Sequence, residues 1–167
     1  MDKVQEIIKA LDLNPHPEGG YYRETYRSEG TIPKEVLGQP FTGDRNYSTG
    51  IYFLITSESF SAFHKINQDE MWHFYDGSPM NLHMISPDGE YKVVRIGNAL
   101  SEGDVPQITV PAGYWFASEV AEENSFSLLG CTVSPGFDFD DFVMPDRAQL
   151  ITQFPHLEDI ITKLTHS

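Results

Sequence analysis

The stretch Phe63-His64-Lys65-Ile66-Asn67-Gln68-Asp69-Glu70-Met71-Trp72-His73-Phe74-Tyr75-Asp76-Gly77 ends one β-like run on a histidine and begins the next on a glutamate, across a short polar turn. Same-face side chains on adjacent antiparallel strands lie about 5 Å apart, so His64 and Glu70 can converge on one point. A histidine and a carboxylate so placed can hold a metal ion, move a proton, or merely satisfy each other beside a turn. Spacing alone leaves all three open. A period of two sets Glu70, Trp72 and Phe74 on one side of their strand and His73 and Tyr75 on the other, which gives His73 a structural role. The side that His83 faces is undecided.

A second chemical stretch lies upstream, where Pro15-His16-Pro17-Glu18-Gly19-Gly20 is a turn feeding the strand Tyr21-Tyr22-Arg23-Glu24-Thr25-Tyr26-Arg27. Alternation puts Tyr22, Glu24 and Tyr26 on one face and Tyr21, Arg23, Thr25 and Arg27 on the other. An aromatic face carrying a carboxylate suits a polyhydroxylated ligand; the competing reading is an edge strand with solvated charges. Downstream, Asp138-Phe139-Asp140-Asp141-Phe142 reads as a solvated acidic loop in preference to a rim over a pocket. A phosphorylated substrate would have to rely on Arg23, Arg27, Arg45 and Arg95.

The elements that must position these residues are short. Gly19-Gly20, Gly43-Asp44, Asp76-Gly77, Pro87-Asp88-Gly89, Glu102-Gly103 and Ala112-Gly113 separate β-branched and aromatic runs of about five residues, the rhythm of an antiparallel all-β sandwich or barrel. Strands are expected at 21–27, 48–55, 61–65, 71–75, 81–85, 91–96, 107–110, 114–118 and 125–133. Asp2 followed by Gln5 is a capping pattern, and Val4, Ile7, Ile8 and Leu11 keep helical spacing until Asn14-Pro15. The tail repeats it with Asp146 and Gln149, is interrupted by Pro155, and ends on an apolar stripe of Leu157, Ile160, Ile161 and Leu164. Those terminal helices are expected to cover a sheet. Residues 29–41, rich in Gly, Pro and charge, read as a weakly ordered loop.

Composition bounds the rest. The chain has 167 residues, 40% of them apolar, enough for one core and one domain over 1–167. A net charge of −14 repels phosphate backbones and anionic lipid, so neither nucleic acid nor a membrane is an expected partner. Cys131, the single cysteine, cannot form an internal disulfide, and the N-terminus carries acids where a signal peptide needs bases; a cytoplasmic setting is expected. No nucleophile elbow, P-loop, His-Glu-x-x-His or dinucleotide fingerprint is present.

The residues resemble a cupin. His64-x-Ile66, Glu70 and Gly77 follow the spacing of the first cupin motif, and Pro111-Ala112-Gly113-Tyr114-Trp115-Phe116 that of the second, with Ile66 and Phe116 where two of four metal-binding histidines usually stand. The upstream turn and strand, the His64 to Gly77 segment, Val110-Pro111-Ala112-Gly113 and Gly130-Cys131-Thr132-Val133-Ser134-Pro135-Gly136-Phe137-Asp138-Phe139 together resemble the DUF985 (cupin 5) family. That resemblance implies a mostly β double-stranded β-helix, or jelly roll, with short N- and C-terminal helices, assembled as a homodimer. Gly20-Tyr21-Tyr22-Arg23-Glu24 and the strand of His64 are also similar to RmlC-type sugar-nucleotide 3,5-epimerases, whose proton-donating tyrosine has no counterpart at Val133-Ser134-Pro135; Tyr52, Tyr75 and Tyr114 are the alternatives.

The resemblances imply a protein that binds a small polar metabolite or sugar, as an isomerase or epimerase, with His64 as base or ligand and Glu70 beside it. Tyr22, Arg23, Glu24, Tyr75 and Phe116 are the expected substrate contacts. His64 and Glu70 would hold one divalent metal ion if there is one, and the epimerase pattern needs none. A non-catalytic, storage-like metabolite binder and a metal-dependent oxygenase are the competing expectations.

Overall fold

The computed structural model describes residues 2–167. The Asp2 carboxylate accepts the Gln5 N–H at 2.8 Å and starts α1 (Lys3–Ala10), whose buried Ile7 packs with Leu13 and Leu54. Twelve strands follow: β1 (Asn14–Pro15), β2 (Tyr21–Arg27), β3 (Thr31–Ile32), β4 (Arg45–Asn46), β5 (Thr49–Thr56), β6 (Ser61–His64), β7 (Asp69–Gly77), β8 (Met80–Ile85), β9 (Tyr91–Ile96), β10 (Gln107–Val110), β11 (Trp115–Val120) and β12 (Phe126–Ser134). The short helix α2 (Lys34–Leu37) lies between β3 and β4; α3 (Arg147–Gln153) and α4 (Glu158–Lys163) close the chain.

Two antiparallel sheets face each other as a jelly roll. One has the order β1-β2-β5-β12-β7-β10 and the other β6-β11-β8-β9. Alternation sends Phe53 and Ile55 of β5, Trp72 of β7 and Leu129 and Cys131 of β12 inward against Leu82, Met84 and Phe116 of the opposite sheet. The outer face of the smaller sheet, with Phe63, Ile85 and Trp115, is covered by Leu150, Phe154, Ile161 and Leu164 of the C-terminal helices, as their apolar stripe requires. No helix among the described residues is long and apolar enough to cross a membrane.

Residues 29–41, expected to be weakly ordered, contain α2 and the strand β3, which pairs with β4. Two register shifts bear on function. Glu24 pairs with Ile51 and Tyr26 with Gly50, so β2 has one extra residue and its alternation reverses past Glu24. On β12, Leu128 pairs with Asp76 and Leu129 with Phe74, which leaves Tyr75 as the extra residue of β7.

Candidate functional site

The β1–β2 turn brings an unforeseen residue into the interior. His16 N–H donates to Gly20 O at 2.9 Å, Gly19 N–H to His16 O at 3.0 Å, and Ala62 N–H to Glu18 O at 2.8 Å. Gly19 and Gly20 have φ of +115° and +78°, and a Cβ on either would collide with the Phe60 or Leu54 carbonyl. Only glycine lets the turn press this closely on β5 and β6. The result is that Glu18 is buried, 6% exposed, at the end of β6.

There it meets His64. Nε2 of His64 lies 2.6 Å from Oε2 of Glu18, and Nδ1 lies 2.7 Å from the Ala62 carbonyl. A carbonyl only accepts, so Nδ1 carries a proton, and the carboxylate holds a second proton on Nε2. Burial by itself would lower the His64 pKa; the charge and hydrogen bond of Glu18 and the Ala62 carbonyl reverse this and raise it. Burial would raise the Glu18 pKa, and the His64 charge and hydrogen bond bring it below its ordinary value. The two form an imidazolium–carboxylate pair. The Phe116 ring backs the imidazole at a centroid distance of 4.1 Å, and Phe116 is the cross-strand partner of His64.

Glu18, His64 and Glu70 share a cavity of about 410 Å³, within the range of small-ligand sites. Glu70, at the start of β7, makes no ion pair among the described residues. Burial pushes its carboxyl up to about 8, with Glu18 adding repulsion and His64 and the Trp72 indole partly offsetting both. Glu70 is therefore largely protonated at neutral pH. The Trp72 N–H lies beside it but completes no hydrogen bond. Ile51, Phe53, Ile66 and Val133 make much of the wall apolar, and Cys131 lies on it with its thiol held protonated by burial.

The rim is built by Phe137, Asp138, Phe139 and Phe142. Phe137 and Phe139 meet edge to face at 4.9 Å, and Phe139 and Phe142 at 5.8 Å. Asp141 anchors this segment from below: it accepts Arg45 Nε at 2.7 Å and Nη2 at 2.9 Å, Gln68 Nε2 at 2.7 Å and Asn67 Nδ2 at 3.1 Å. The expected solvated acidic loop is thus a rim. Its alternation of Asp and Phe hides one fully buried carboxylate, and only the long-range pairing with Arg45 distinguishes Asp141 from its neighbours.

The predicted residues divide. His64, Glu70, Tyr22 and Glu24 line the cavity. Arg23 does not: it is on the outer face, and its Nη1 donates to the Leu11 carbonyl at 3.3 Å. The extra residue in β2 turns Arg27 inward instead, where it holds Glu24 at 2.6 Å, Asn46 Oδ1 at 2.8 Å and the Phe137 carbonyl at 3.0 Å. Tyr75 lies on the outer face, half exposed, against Tyr52. Phe116 supports His64 from the core and is not a cavity wall. His73 bonds Thr132 on the outer face, and His83 is held by Tyr91 and Glu119 on the other sheet. Glu18 and His16 belong to the quoted Pro-His-Pro-Glu-Gly-Gly turn, and its paired glycines were the available signal.

The donor set does not fit a resident metal ion held by His64 and Glu70. Bonds from an ion to nitrogen and oxygen are each about 2.0–2.2 Å, and the direct 2.6 Å contact between His64 Nε2 and Glu18 Oε2 leaves no space for one between them. His64 Nδ1 is spent on Ala62, and Ile66 and Phe116 bring no donors. Among the described residues no three His, Cys, Asp or Glu side chains form a metal-holding group.

A family model described as cupin superfamily (DUF985) matches residues 5–145. A crystal structure of a Shewanella oneidensis protein is 38% identical, superposes with a TM-score of 0.87, and covers 99% of both chains. An uncharacterised protein of Saccharomyces cerevisiae is 35% identical over 147 residues, 83% of this chain and 73% of its own length. Oxalate decarboxylase from Bacillus subtilis, at 13% identity with a TM-score of 0.56 over 92% of this chain and 37% of its own, is similar in fold alone.

Proposed function

The chain belongs to the DUF985 family of the cupin superfamily, and from its cavity we propose that it binds an uncharged sugar or related hydroxy-carbonyl compound and isomerises it by moving one proton with Glu70. The observation that carries this reading is the division among three ionisable groups, Glu18 and His64 buried and Glu70 partly buried. Glu18 and His64 pair as opposite charges at 2.6 Å, and Glu70, on the wall of the same cavity, has no ion-pair partner among the described residues. A carboxyl with a pKa of about 8 is still ionised in a useful fraction of molecules near neutral pH and is far more basic than an ordinary glutamate.

The ionised Glu70 takes the proton from the carbon next to the carbonyl. The C–H electron pair becomes the carbon–carbon double bond of an enediolate, and the carbonyl oxygen takes the negative charge. The hydroxyl proton passes between the two adjacent oxygens, Glu70 returns its proton to the other carbon, and an aldose becomes a ketose with no net change in atoms or electrons. The imidazolium of His64 favours the ionised form of Glu70; it is a positioning and electrostatic residue, in place of the base role expected from the sequence.

The charge inventory supports an uncharged substrate. Arg45 is committed to Asp141, Arg95 lies 2.7 Å from Asp104 on the other sheet, and Arg23 is outside. Arg27 has its guanidinium occupied by Glu24, Asn46 and Phe137 O. Among the described residues that line the cavity, no free guanidinium or ammonium remains to bind a phosphate.

The test is proton exchange in D2O with a panel of unphosphorylated aldoses and ketoses, followed by NMR at the carbon next to the carbonyl. At least one compound should exchange, and Glu70→Gln should slow exchange by about 10²–10⁴-fold. Exchange unaffected by Glu70→Gln would defeat the reading. A second reading, metabolite binding without turnover, is favoured by the self-satisfied state of His64 and Arg27. Its mark would be a ligand that stabilises wild type and Glu70→Gln equally while no compound exchanges.

A further inference from the structure

The proton shuttle leaves the charge that develops on the substrate oxygen without a named partner. His16 occupies the turn that delivers Glu18, and its ring lines the cavity. The Glu18 N–H donates to His16 Nδ1 at 3.2 Å. A nitrogen that accepts from a backbone N–H carries no proton, so the proton of the neutral ring is on Nε2. Among the described residues nothing accepts a hydrogen bond from Nε2. The ring is also fixed in direction: Tyr22 meets it edge to face at 4.6 Å, and Phe142 and Phe139 flank it at 6.1 and 6.3 Å.

Resting on the isomerase reading, we infer that His16 is a substrate-binding residue whose neutral Nε2–H donates to the carbonyl oxygen and holds it as it becomes the enediolate. A backbone N–H fixed on Nδ1 selects the useful tautomer, and the aromatic rim keeps the donor away from bulk water, where such a bond counts for more. A neutral imidazole suits the role because an imidazolium would give up its own proton too readily and bind anions indiscriminately. The surroundings keep it neutral. Burial disfavours the charged ring, and the His64 imidazolium opposes a second positive charge; Glu18 is the one group whose charge pulls the other way. The other ionisable groups on the cavity are Glu70, Glu24, Arg27, Asp138, Tyr22 and Cys131.

The experiment uses the full chain with 15N-labelled histidine and D-arabinonohydroxamic acid, a planar mimic of an enediolate. Ring-nitrogen NMR should show His16 unprotonated at Nδ1 and protonated at Nε2 at neutral pH, with its titration displaced below the 6.5 of an ordinary histidine. The hydroxamic acid should shift the Nε2–H signal. His16→Phe should weaken its binding about tenfold, the value of one neutral hydrogen bond, and His16→Gln, whose amide keeps a donor, should restore most of it. A His16 that titrates near 6.5, a proton on Nδ1, no shift at millimolar hydroxamic acid, or undiminished binding by a folded His16→Phe would each overturn the assignment. None of these readouts needs turnover. If Glu70→Gln leaves exchange intact while His16 responds as expected, the proton shuttle fails and His16 stands as a ligand donor.

Discussion

His64 and Glu18, 46 residues apart in the chain, are joined at 2.6 Å in a site that excludes water from both. The pair is worth most between the ordinary pKa values of its members. The lowered Glu18 pKa contributes stability that is present above about 4.5 and is lost as pH falls through the folded value. The raised His64 pKa contributes stability that is full below about 6.5 and is lost as pH rises through the folded value. Between those limits, removing one partner by Glu18→Gln should cost about 3–5 kcal/mol, because the other is left buried and unpaired. Replacing both, with Glu18→Gln and His64→Phe, should cost less than the sum of the single changes. Urea unfolding at about pH 5.5 measures the cycle, and simple additivity would contradict the pairing.

Glu70 gives catalysis a pH dependence of known sign. Its ionised form is the base, so exchange should rise about tenfold per pH unit on the acid side and level off above about 8. Trp72→Phe removes an indole N–H that favours the ionised carboxylate, so the midpoint should move to higher pH. A profile that bends near 4.5, the ordinary glutamate value, would show Glu70 to be solvated and the shuttle wrongly assigned.

The same carboxyl works against stability. The folded state holds the Glu70 proton up to about pH 8, whereas the unfolded chain releases it near 4.5, so the native state binds more protons between those limits and loses stability as pH rises through them. Glu70→Gln has no proton to lose. Its melting temperature should therefore gain on wild type from about pH 4.5 to 8 and keep a constant lead above that, by about 2–4 °C for each kcal/mol. A pH-independent difference between the two proteins would refute the elevated pKa.

Local signals were legible wherever a short-range rule acts alone. Asp2 and Asp146 cap their helices as the spacing predicts, accepting Gln5 N–H at 2.8 Å and Gln149 N–H at 3.1 Å. Strands 21–27, 91–96 and 107–110 have the expected bounds, and the same-side placement of Glu70 and Trp72 follows from a period of two. What failed needed information from another strand. The extra residue in β2 arises from pairing with β5, and a one-residue shift exchanges faces; it put Arg27 on the cavity face in place of Tyr26. Glu18 lies between a two-residue strand and β2, where no periodicity exists to place it. Asp141 stands among four acids and aromatics, Asp138, Phe139, Asp140 and Phe142, that its sequence neighbourhood does not separate, and it acquires its role only from Arg45 on β4, 96 residues earlier.

That last contact makes the rim separable from the cavity floor. Asp141 is fully buried and its pKa lies below the ordinary aspartate value: burial would raise it, but hydrogen bonds from Arg45, Gln68 and Asn67 prevail. Asp141→Asn keeps the shape and removes the charge, which leaves the Arg45 side chain, 3% exposed, with only the distant Asp138 carboxylate at 4.0 Å. The expected loss is about 3–5 kcal/mol, and Arg45→Met with Asp141→Leu should recover much of it by replacing the pair with apolar volume. Ligand affinity should not recover with it. Phe137, Phe139 and Phe142 owe their position over the cavity to the Asp141 anchor, and Gln68, which also holds Gly136 O at 3.0 Å, loses its carboxylate partner in both variants. Thermal melts of the two variants, each with and without a ligand found in the exchange screen, separate the effects. Full recovery of both stability and affinity in the apolar pair would mean that packing alone holds the rim and that the buried carboxylate has no part in positioning it.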